Sequence, residues 1–252
     1  MLRLENVSRI YQKKGSTVKA LKAIDLELYK GEVLGIVGES GSGKTTLLKQ
    51  ICGIERPDSG TVWFKGKEID PFKRGEQKEL YKHMQMVFQN VCMSFNPRRR
   101  IYTSMDENLR FLSGISGKEK RKEIMRHYME LVELDSELMN RYPGELSGGQ
   151  CQRAAIARAL MVKPQILLCD EITSALDVIV QDKIMELLEK LSVELEVAIL
   201  FVSHDLALVS GFCDRVMVMK TGECVEYGEC EAVLTNPQHD YTKQLLASIL
   251  TI

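Results

Sequence analysis

Short apolar runs of two kinds are spread along the chain, and both kinds have the length of β-strands. In one kind every position is apolar, which is typical of strands buried on both faces of a sheet. These runs lie at residues 33–37, 166–169, 197–202 and 216–219. In the other kind, polar and apolar residues alternate or aromatic residues are frequent, which predicts strands with one exposed face. These runs lie at residues 3–7, 23–29 and 61–64.

Longer stretches repeat their apolar residues with the period of an α-helix, most clearly at residues 118–134 and 180–191. Strands and helices that alternate in this way predict parallel strands, right-handed crossovers and helices on both faces, which is an α/β fold. A mostly helical insertion, roughly residues 90–155, interrupts the alternation. Further helices are predicted at residues 46–51, 206–209 and 240–249, and residues 144–160 pass from a glycine-containing loop into an Ala-rich helix.

Composition and charge narrow the functional classes. The chain has 252 residues, with 34 basic and 35 acidic side chains and a net charge of −1. This balance gives no electrostatic reason to expect nucleic acid or an anionic membrane as partner. The apolar runs are far shorter than the ~20 residues of a membrane span, and the N-terminus lacks the apolar core of a secretory signal. The seven cysteines are scattered without a CxxC motif, so we expect reduced thiols inside the cell.

A predicted phosphate-binding loop follows the first fully apolar run. Residues 38–45 fit the pattern GxxxxGK[ST] between a predicted strand and a predicted helix, the context that this motif requires. The glycines let successive N–H groups point at phosphate oxygens, and the helix start adds the positive end of its dipole. Lys44 is predicted to reach the β- and γ-phosphates, and the Thr45 hydroxyl to ligate Mg²⁺. The residues expected to bind ATP here are Gly38, Glu39, Ser40, Gly41, Ser42, Gly43, Lys44, Thr45 and Thr46.

Two acidic residues and a histidine follow later apolar runs. Asp170 and Glu171 come at the end of one run, and His204 follows the next. Because the carboxyl ends of parallel strands share one edge of a sheet, these side chains are expected beside the phosphate loop. Asp170 is predicted to hold Mg²⁺ through its water shell, Glu171 to polarise the attacking water, and His204 to lie beside the γ-phosphate.

A second glycine-rich turn precedes the Ala-rich predicted helix. Residues 146–150 (Leu-Ser-Gly-Gly-Gln) would present N–H groups and a helix dipole to an anion, as the phosphate loop does. One fold seldom needs two such turns for one nucleotide unless the second serves a partner subunit. With the phosphate loop, this turn and the acidic pair in this order, nearly the whole chain resembles an ATP-binding cassette (ABC) ATPase.

The resemblance implies roles that the residue pattern alone does not give. Tyr11 would stack on adenine, and Gln89 would meet Mg²⁺ and sense the membrane partner. In the family two cassettes pair head to tail, so the second turn would act in trans on the partner's ATP. Asp177 would lie in the D-loop (residues 174–177), and His204 would be the switch histidine. The signature residues expected to act in trans are Ser147, Gly148, Gly149 and Gln150.

The resemblance also implies a P-loop NTPase architecture: a RecA-like, mostly parallel sheet, an N-terminal antiparallel β subdomain and an inserted α-helical subdomain. Residues 1–88 and 156–230 would form the catalytic core with the β subdomain, residues 89–155 the helical signature subdomain, and residues 231–252 a helical tail. The expected cofactors are ATP and Mg²⁺. The expected partners are a second cassette (a copy or a paralogue), two transmembrane permease subunits and, indirectly, an extracellular substrate-binding protein, at the cytoplasmic face of the cell membrane.

Residues 89–98 and the tail from residue 236 are similar to importers of oligopeptides, dipeptides and nickel. Peptide-importer cassettes usually continue beyond such a tail, whereas this chain ends at residue 252. We therefore expect a cassette that energises a nickel or metal–metallophore importer. A peptide importer is the alternative, and a soluble ABC-type ATPase is less favoured. The sequence departs from the family pattern at Ile172, where proline is usual, and at Cys151, where bulkier or polar residues are common.

Overall fold

The computed structural model describes residues 1–13, 15–70, 72–73, 75–174 and 176–248. The chain divides into two compact units, the first formed by Met1–Gln77 with Ala198–Ile252 and the second by Lys78–Val197. The predicted limits of the helical subdomain and of the tail stay a prediction, and residues 249–252 of that tail lie outside the described residues. None of the described helices is both long enough and apolar enough to cross a membrane.

The bounds of the regular elements follow in chain order. The strands are β1 (Leu2–Lys13), β2 (Ser16–Leu28), β3 (Val33–Val37), β4 (Ser59–Phe64), β5 (Lys67–Glu68), β6 (Met84–Val87), β7 (Ile166–Asp170), β8 (Ala198–Val202), β9 (Arg215–Lys220) and β10 (Glu223–Glu229). The α-helices are α1 (Lys44–Ile51), α2 (Glu76–His83), α3 (Ile101–Asn108), α4 (Lys118–Leu131), α5 (Gly148–Leu160), α6 (Val178–Leu195), α7 (Leu206–Phe212), α8 (Cys230–Thr235) and α9 (Asp240–Ala247). Short 3₁₀ or π-helical turns occur at Cys92–Ser94, Leu109–Ser113, Ser136–Asn140 and Pro143–Glu145.

An antiparallel sheet forms part of the first unit, with its strands in the order β2-β1-β4-β5. Leu2 and Leu4 of β1 are buried opposite Leu28 and Leu26 of β2. At the hairpin β1 continues past its predicted end and β2 begins before its predicted start, because the polar residues there still pair across the two strands. The predicted N-terminal antiparallel sheet is confirmed.

Parallel strands form the second layer of the first unit. β3 lies between β8 and β9 and is parallel to both, and β10 pairs with β9 in the antiparallel sense. All five residues of β3 are buried, as its apolar sequence predicts. A Cβ atom on Gly35 would lie 2.9 Å from Val209 and 3.0 Å from the sulfur of Cys213, so this glycine lets the chain around α7 pack closely on β3.

The second unit combines a parallel strand pair with helices. β6 pairs with β7, and α5 packs against β6, α4 and α6. β6 was not predicted, because Gln85 interrupts its apolar residues. The predicted helix over residues 118–134 ends early, at Leu131, because Glu133 adopts a left-handed backbone conformation with φ of 56°.

Candidate active site

The phosphate loop (residues 38–45) joins β3 to α1 in the first unit. All three of its glycines have backbone angles that other residues rarely adopt, with φ of 146° at Gly38, 82° at Gly41 and 110° at Gly43. A Cβ atom would lie 2.2 Å from the Met219 carbonyl oxygen at Gly38, and 2.5 Å from the Ala20 carbonyl oxygen at Gly43. Main-chain atoms therefore surround the loop so closely that its shape requires glycine at both positions.

Lys44, the first residue of α1, places its ammonium group inside the loop. The residue is only 4 % exposed, and its Nζ donates to the carbonyl oxygens of Gly38 at 2.7 Å and Glu39 at 3.0 Å. The Ser42 hydroxyl is also buried and has no hydrogen-bond partner among the described residues. A buried cation and a buried, unpaired hydroxyl in one glycine-rich loop fit the oxygens of a phosphate group.

The start of α1 adds to the affinity of the loop for anions. Its N-cap is Gly43, which has no side chain with which to cap the first-turn N–H groups. The positive end of the helix dipole also points to this turn and favours a phosphate there. Thr45 is exposed and Thr46 is half-buried in this turn, and Ser40 and Gly41 expose the outer side of the loop.

His204 follows β8 directly, in the same unit as the phosphate loop. β3 and β8 are parallel neighbours that pair up to Ile36 and Val202, so the segments after both strands start side by side. Ser203 is buried, its N–H donates to the Ile36 carbonyl oxygen at 3.2 Å, and His204 itself is exposed. The predicted placement of His204 at the edge where the phosphate loop begins is therefore observed, whereas its role stays a prediction.

Tyr11 lies in β1, also in the first unit. Its hydroxyl donates to the Glu55 carboxylate, and the Arg9 guanidinium carbon lies 5.0 Å from the ring centroid. One face of the ring is therefore covered by a cation, and a stacked adenine would have to use the other face or displace Arg9. The adenine role of Tyr11 stays a prediction.

Gln89, Asp170 and Glu171 belong to the second unit, where the strand pair brings two of them together. Val87 of β6 lies opposite Cys169 of β7, so Gln89 and Glu171 each follow two residues beyond that pair. The amide nitrogen of Gln89 donates to the Glu171 carboxylate at 2.9 Å. Asp170 ends β7 and is buried.

The backbone at Glu171 has a left-handed conformation, with φ of 47°. Such a conformation costs about 1–2 kcal/mol at a residue with a side chain, and outliers of this kind cluster at functional sites. The Ser174 hydroxyl and N–H both donate to the Glu171 carbonyl oxygen, at 2.9 and 3.2 Å, and they hold the turn. These two hydrogen bonds stabilise the strained backbone conformation of Glu171.

The signature turn (residues 146–150) opens α5 with a capping box. The Ser147 hydroxyl accepts from the Gln150 N–H at 3.3 Å, and the Gln150 side-chain oxygen accepts from the Ser147 N–H at 3.0 Å. A Cβ atom on Gly149 would lie 2.7 Å from Val180 of α6, so this glycine lets the two helices approach closely. Gly148 begins the helix beside it.

The D-loop prediction falls partly on Ala175, which lies outside the described residues. Asp177 is the N-cap of α6, and its carboxylate accepts from the Val180 N–H at 3.1 Å. This capping role is structural, and the D-loop role of Asp177 stays a prediction.

The two departures from the family pattern are both core residues. Ile172 is 2 % exposed and Cys151 is fully buried. Burial raises the pKa of the Cys151 thiol to about 12, and a hydrogen bond with Cys92 acts in the same direction. The thiol is therefore neutral near pH 7 and fills space on the inner side of α5.

One contact of the phosphate loop was missed by the sequence analysis. The Tyr241 hydroxyl accepts from the Glu39 N–H at 3.1 Å, although the two residues are 202 positions apart. The sequence predicted only that Tyr241 lies in a helix, over residues 240–249. Its position within a tail similar to one importer subfamily was the available signal, but that signal does not say what the hydroxyl contacts.

Comparison with known proteins gives a consistent picture. A family model described as ABC transporter matches residues 21–174, more than half of the chain. The oligopeptide transport ATP-binding protein OppF of Salmonella typhimurium is 42 % identical over 233 residues, which are 92 % of this chain and 70 % of that protein. The protein of the same name in Haemophilus influenzae is 39 % identical over 247 residues, 98 % of this chain and 74 % of that protein.

Solved structures are similar over nearly the same length. The ATP-binding cassette MJ0796, solved as a dimer in a post-hydrolysis state with ADP and Pi, has a TM-score of 0.83 and 32 % identity, covering 91 % of this chain and 99 % of that one. The cbiO1 protein of Clostridium perfringens, part of the ABC transporter complex cbiONQ, has a TM-score of 0.81 and 28 % identity, covering 100 % of this chain and 98 % of that one. The predicted P-loop NTPase fold is thus confirmed. The chain belongs to the ABC transporter family, as one of the ATP-binding cassettes whose ATPase activity powers transport.

Proposed function

We propose that the chain is the ATP-binding and ATP-hydrolysing subunit of a peptide importer. The observation that carries the proposal is its 42 % identity to an oligopeptide transport cassette across 92 % of the chain. The names of the relatives favour the peptide alternative and give no support to the nickel-type preference. That preference relied on where the given sequence ends, and the motif residues are assigned to ATP rather than to the solute.

The proposed assembly contains a second cassette, two permease subunits and an indirectly associated substrate-binding protein, at the cytoplasmic face of the membrane. Two ATP molecules would draw the cassettes together, because ATP has a higher affinity for the closed pair. Ser147 and Gly149 are assigned to the partner's nucleotide, with Gly148 and Gln150 beside them. The solved structure of a related cassette, a dimer with ADP and Pi, supports this part of the proposal.

Within one chain, the phosphate loop is assigned to the triphosphate of ATP. The buried Lys44 ammonium supplies the positive charge, and the Ser42 hydroxyl would gain a hydrogen-bond partner. Tyr11 is assigned to adenine. The side chains of Thr45, Gln89 and Asp170 would hold Mg²⁺, which neutralises charge on the β- and γ-phosphate oxygens when bound.

Glu171 is assigned to accept a proton from the attacking water, and His204 to hold the γ-phosphate. The hydrogen bond from Gln89 keeps the Glu171 carboxylate in one orientation. Because Gln89 is also expected to sense the membrane partner, a displacement of Gln89 would also displace the proposed base. This link couples hydrolysis to the permease in the proposed mechanism.

The catalytic assignment is tested by Glu171→Gln, with Glu194→Gln on the exposed side of α6 as matched control. We expect hydrolysis to fall by about 10²–10⁴-fold, the usual contribution of a general base, while ATP binding persists. The control should hydrolyse ATP at the wild-type rate. Undiminished hydrolysis by Glu171→Gln would reject the role of this residue.

The transport assignment is tested by uptake in cells that lack the chain. Loss of labelled di- and oligopeptide uptake with normal nickel uptake, restored by the wild-type chain and not by Glu171→Gln, is the expected result. The reverse pattern would restore the nickel interpretation. If neither solute is affected and no permease subunit co-purifies with the chain, a soluble ATPase would replace the transporter proposal.

A further inference from the structure

The start of α9 contacts the phosphate loop through a single side chain. Tyr241, the second residue of α9, is 4 % exposed, and its hydroxyl oxygen accepts from the Glu39 N–H at 3.1 Å. The described residues thus place the phosphate loop against a helix near the carboxyl end of the chain. None of the roles assigned above to ATP binding or hydrolysis includes this residue.

Several contacts fix the position of the Tyr241 ring. The Lys220 ammonium lies 4.5 Å from the ring centroid. The His239 ring nitrogen Nδ1 accepts from the Tyr241 N–H at 3.1 Å and caps α9. The Glu226 carboxylate of β10 accepts from the N–H groups of Gln238 at 2.8 Å and His239 at 3.1 Å, which ties the chain before α9 to the sheet. The hydroxyl is therefore held in place by both sheet and helix.

The contact acts on one particular peptide group, the one between Gly38 and Glu39. Its N–H side is bonded to Tyr241, and its carbonyl oxygen, that of Gly38, accepts from Lys44 Nζ at 2.7 Å. Because a peptide group is planar and rigid, fixing its N–H also fixes the direction of its C=O. Tyr241 thereby orients the carbonyl group that holds the ammonium of Lys44.

Few other contacts described here hold this peptide group from outside the loop. A Cβ atom at Gly38 would meet the Met219 carbonyl oxygen, so β9 limits the loop on one side by contact alone. The Glu39 carbonyl oxygen accepts from Ser42 at 3.1 Å and from Lys44 at 3.0 Å, and both of these donors belong to the loop itself. For the Gly38–Glu39 peptide group, Tyr241 is the hydrogen-bond partner contributed from outside the loop among the contacts described.

We infer that Tyr241 is a positioning residue for ATP binding, which orients the Gly38–Glu39 peptide group and through it the Lys44 ammonium. The inference rests on the proposed binding of ATP by the phosphate loop. It makes the start of α9 part of the nucleotide site, and the affinity for ATP then depends on how the carboxyl-terminal segment is seated.

The experiment compares Tyr241→Phe with Tyr227→Phe in the full chain. Both residues bond a main-chain group through the hydroxyl and lie beside a cation: the Tyr227 hydroxyl donates to the Glu27 carbonyl oxygen at 2.9 Å, and Arg215 lies 4.5 Å from the ring. Each substitution removes one hydroxyl and keeps the ring. Only the first touches the phosphate loop.

The readouts are the Kd of MgATP, the KM and kcat for hydrolysis, and Tm without nucleotide. For Tyr241→Phe we expect Kd and KM to rise about threefold to tenfold, the effect of one net hydrogen bond, with kcat changed less. Tyr227→Phe should leave Kd and KM at the wild-type values. Unchanged Kd and KM in Tyr241→Phe would overturn the inference, as would an equal rise in both variants.

The rise in Tm that a fixed concentration of MgATP produces distinguishes weaker ATP binding from a general loss of stability. A smaller rise in Tyr241→Phe than in Tyr227→Phe supports the positioning role, and equal rises contradict it. Failure of the proposed function has a different signature, since the wild-type chain itself would then neither bind nor hydrolyse ATP.

Discussion

The phosphate loop and the signature turn are both glycine-rich and both open a helix, but they are built in different ways. In the phosphate loop, Gly38 and Gly43 have positive φ and touch main-chain carbonyl groups, and Lys44 is buried within the curve. In the signature turn, Gly148 and Gly149 have joined the first turn of α5, and its five residues include no cation.

The phosphate loop and the signature turn also differ in whether a side chain caps the helix that follows. The N-cap of α1 is Gly43, so no side chain caps the first turn of that helix. The N-cap of α5 is Ser147, whose hydroxyl accepts from Gln150, so the helix caps itself. In the phosphate loop a buried ammonium lies beside the glycine N-cap, whereas in the signature turn a side chain already caps the helix. This suits a contact made only when a partner cassette supplies the nucleotide.

Of the substitutions that test this comparison, removing the charge from the phosphate loop should have the largest effect, on the affinity for ATP. Lys44→Ala should raise the Kd of MgATP roughly 10- to 100-fold, because hydrogen bonds to a charged group contribute about 1.5–3 kcal/mol. Lys82→Ala, which removes a partly exposed lysine paired with Glu79 at 2.7 Å, is the control and should bind ATP normally. Wild-type affinity in Lys44→Ala, measured by titration with a fluorescent ATP analogue, would contradict the role of the loop.

The sequence predicted the phosphate loop better than the signature turn, for a physical reason. The loop is a local structure: its pattern, the buried strand before it and the helix after it lie within residues 33–51. The packing of the signature turn depends on tertiary contacts, such as that between Val180 and Gly149, and a local sequence pattern does not predict such contacts. The bond from Tyr241 to Glu39 spans 202 positions and needed the fold.

Other parts of the site were predicted only in part. The two-residue offset of Gln89 and Glu171 beyond the β6–β7 pair follows from the parallel register, which was not available because β6 was not predicted. The left-handed backbone of Glu171 has no signal in its residue type. The comparisons favour the peptide alternative over the nickel preference, because motifs assigned to ATP carry no information on what a permease transports.

Adding a methyl group to the signature turn should have the next largest effect. Gly149→Ala places a Cβ atom 2.7 Å from Val180, and overpacking of this kind lowers the free energy of unfolding by about 1–3 kcal/mol. The double variant Gly149→Ala with Val180→Ala should recover most of that loss in denaturant unfolding. The corresponding Gly38→Ala cannot be relieved by trimming a side chain, because the contact is with a main-chain carbonyl.

The double variant also separates packing from contact with nucleotide. If ATPase activity returns with stability, Gly149 acts only by letting α5 and α6 approach. If stability returns and activity does not, the partner's ATP requires a residue without a Cβ atom at position 149, as the trans arrangement implies. Failure of Val180→Ala to restore stability would show that the close contact is not the cause of the defect.

The smallest expected effect comes from the cap of α5, and it probes the two uses of Ser147. Ser147→Ala removes the acceptor for the Gln150 N–H and should lower the free energy of unfolding by about 1 kcal/mol. Ser147→Asp restores an acceptor and places a negative charge at a helix N-terminus, so unfolding should occur at or above the wild-type denaturant concentration. That same charge would repel a phosphate approaching from the partner cassette. We therefore expect Ser147→Asp to be stable and to lose ATPase activity in assembled cassettes, and full activity in that variant would remove Ser147 from the trans site.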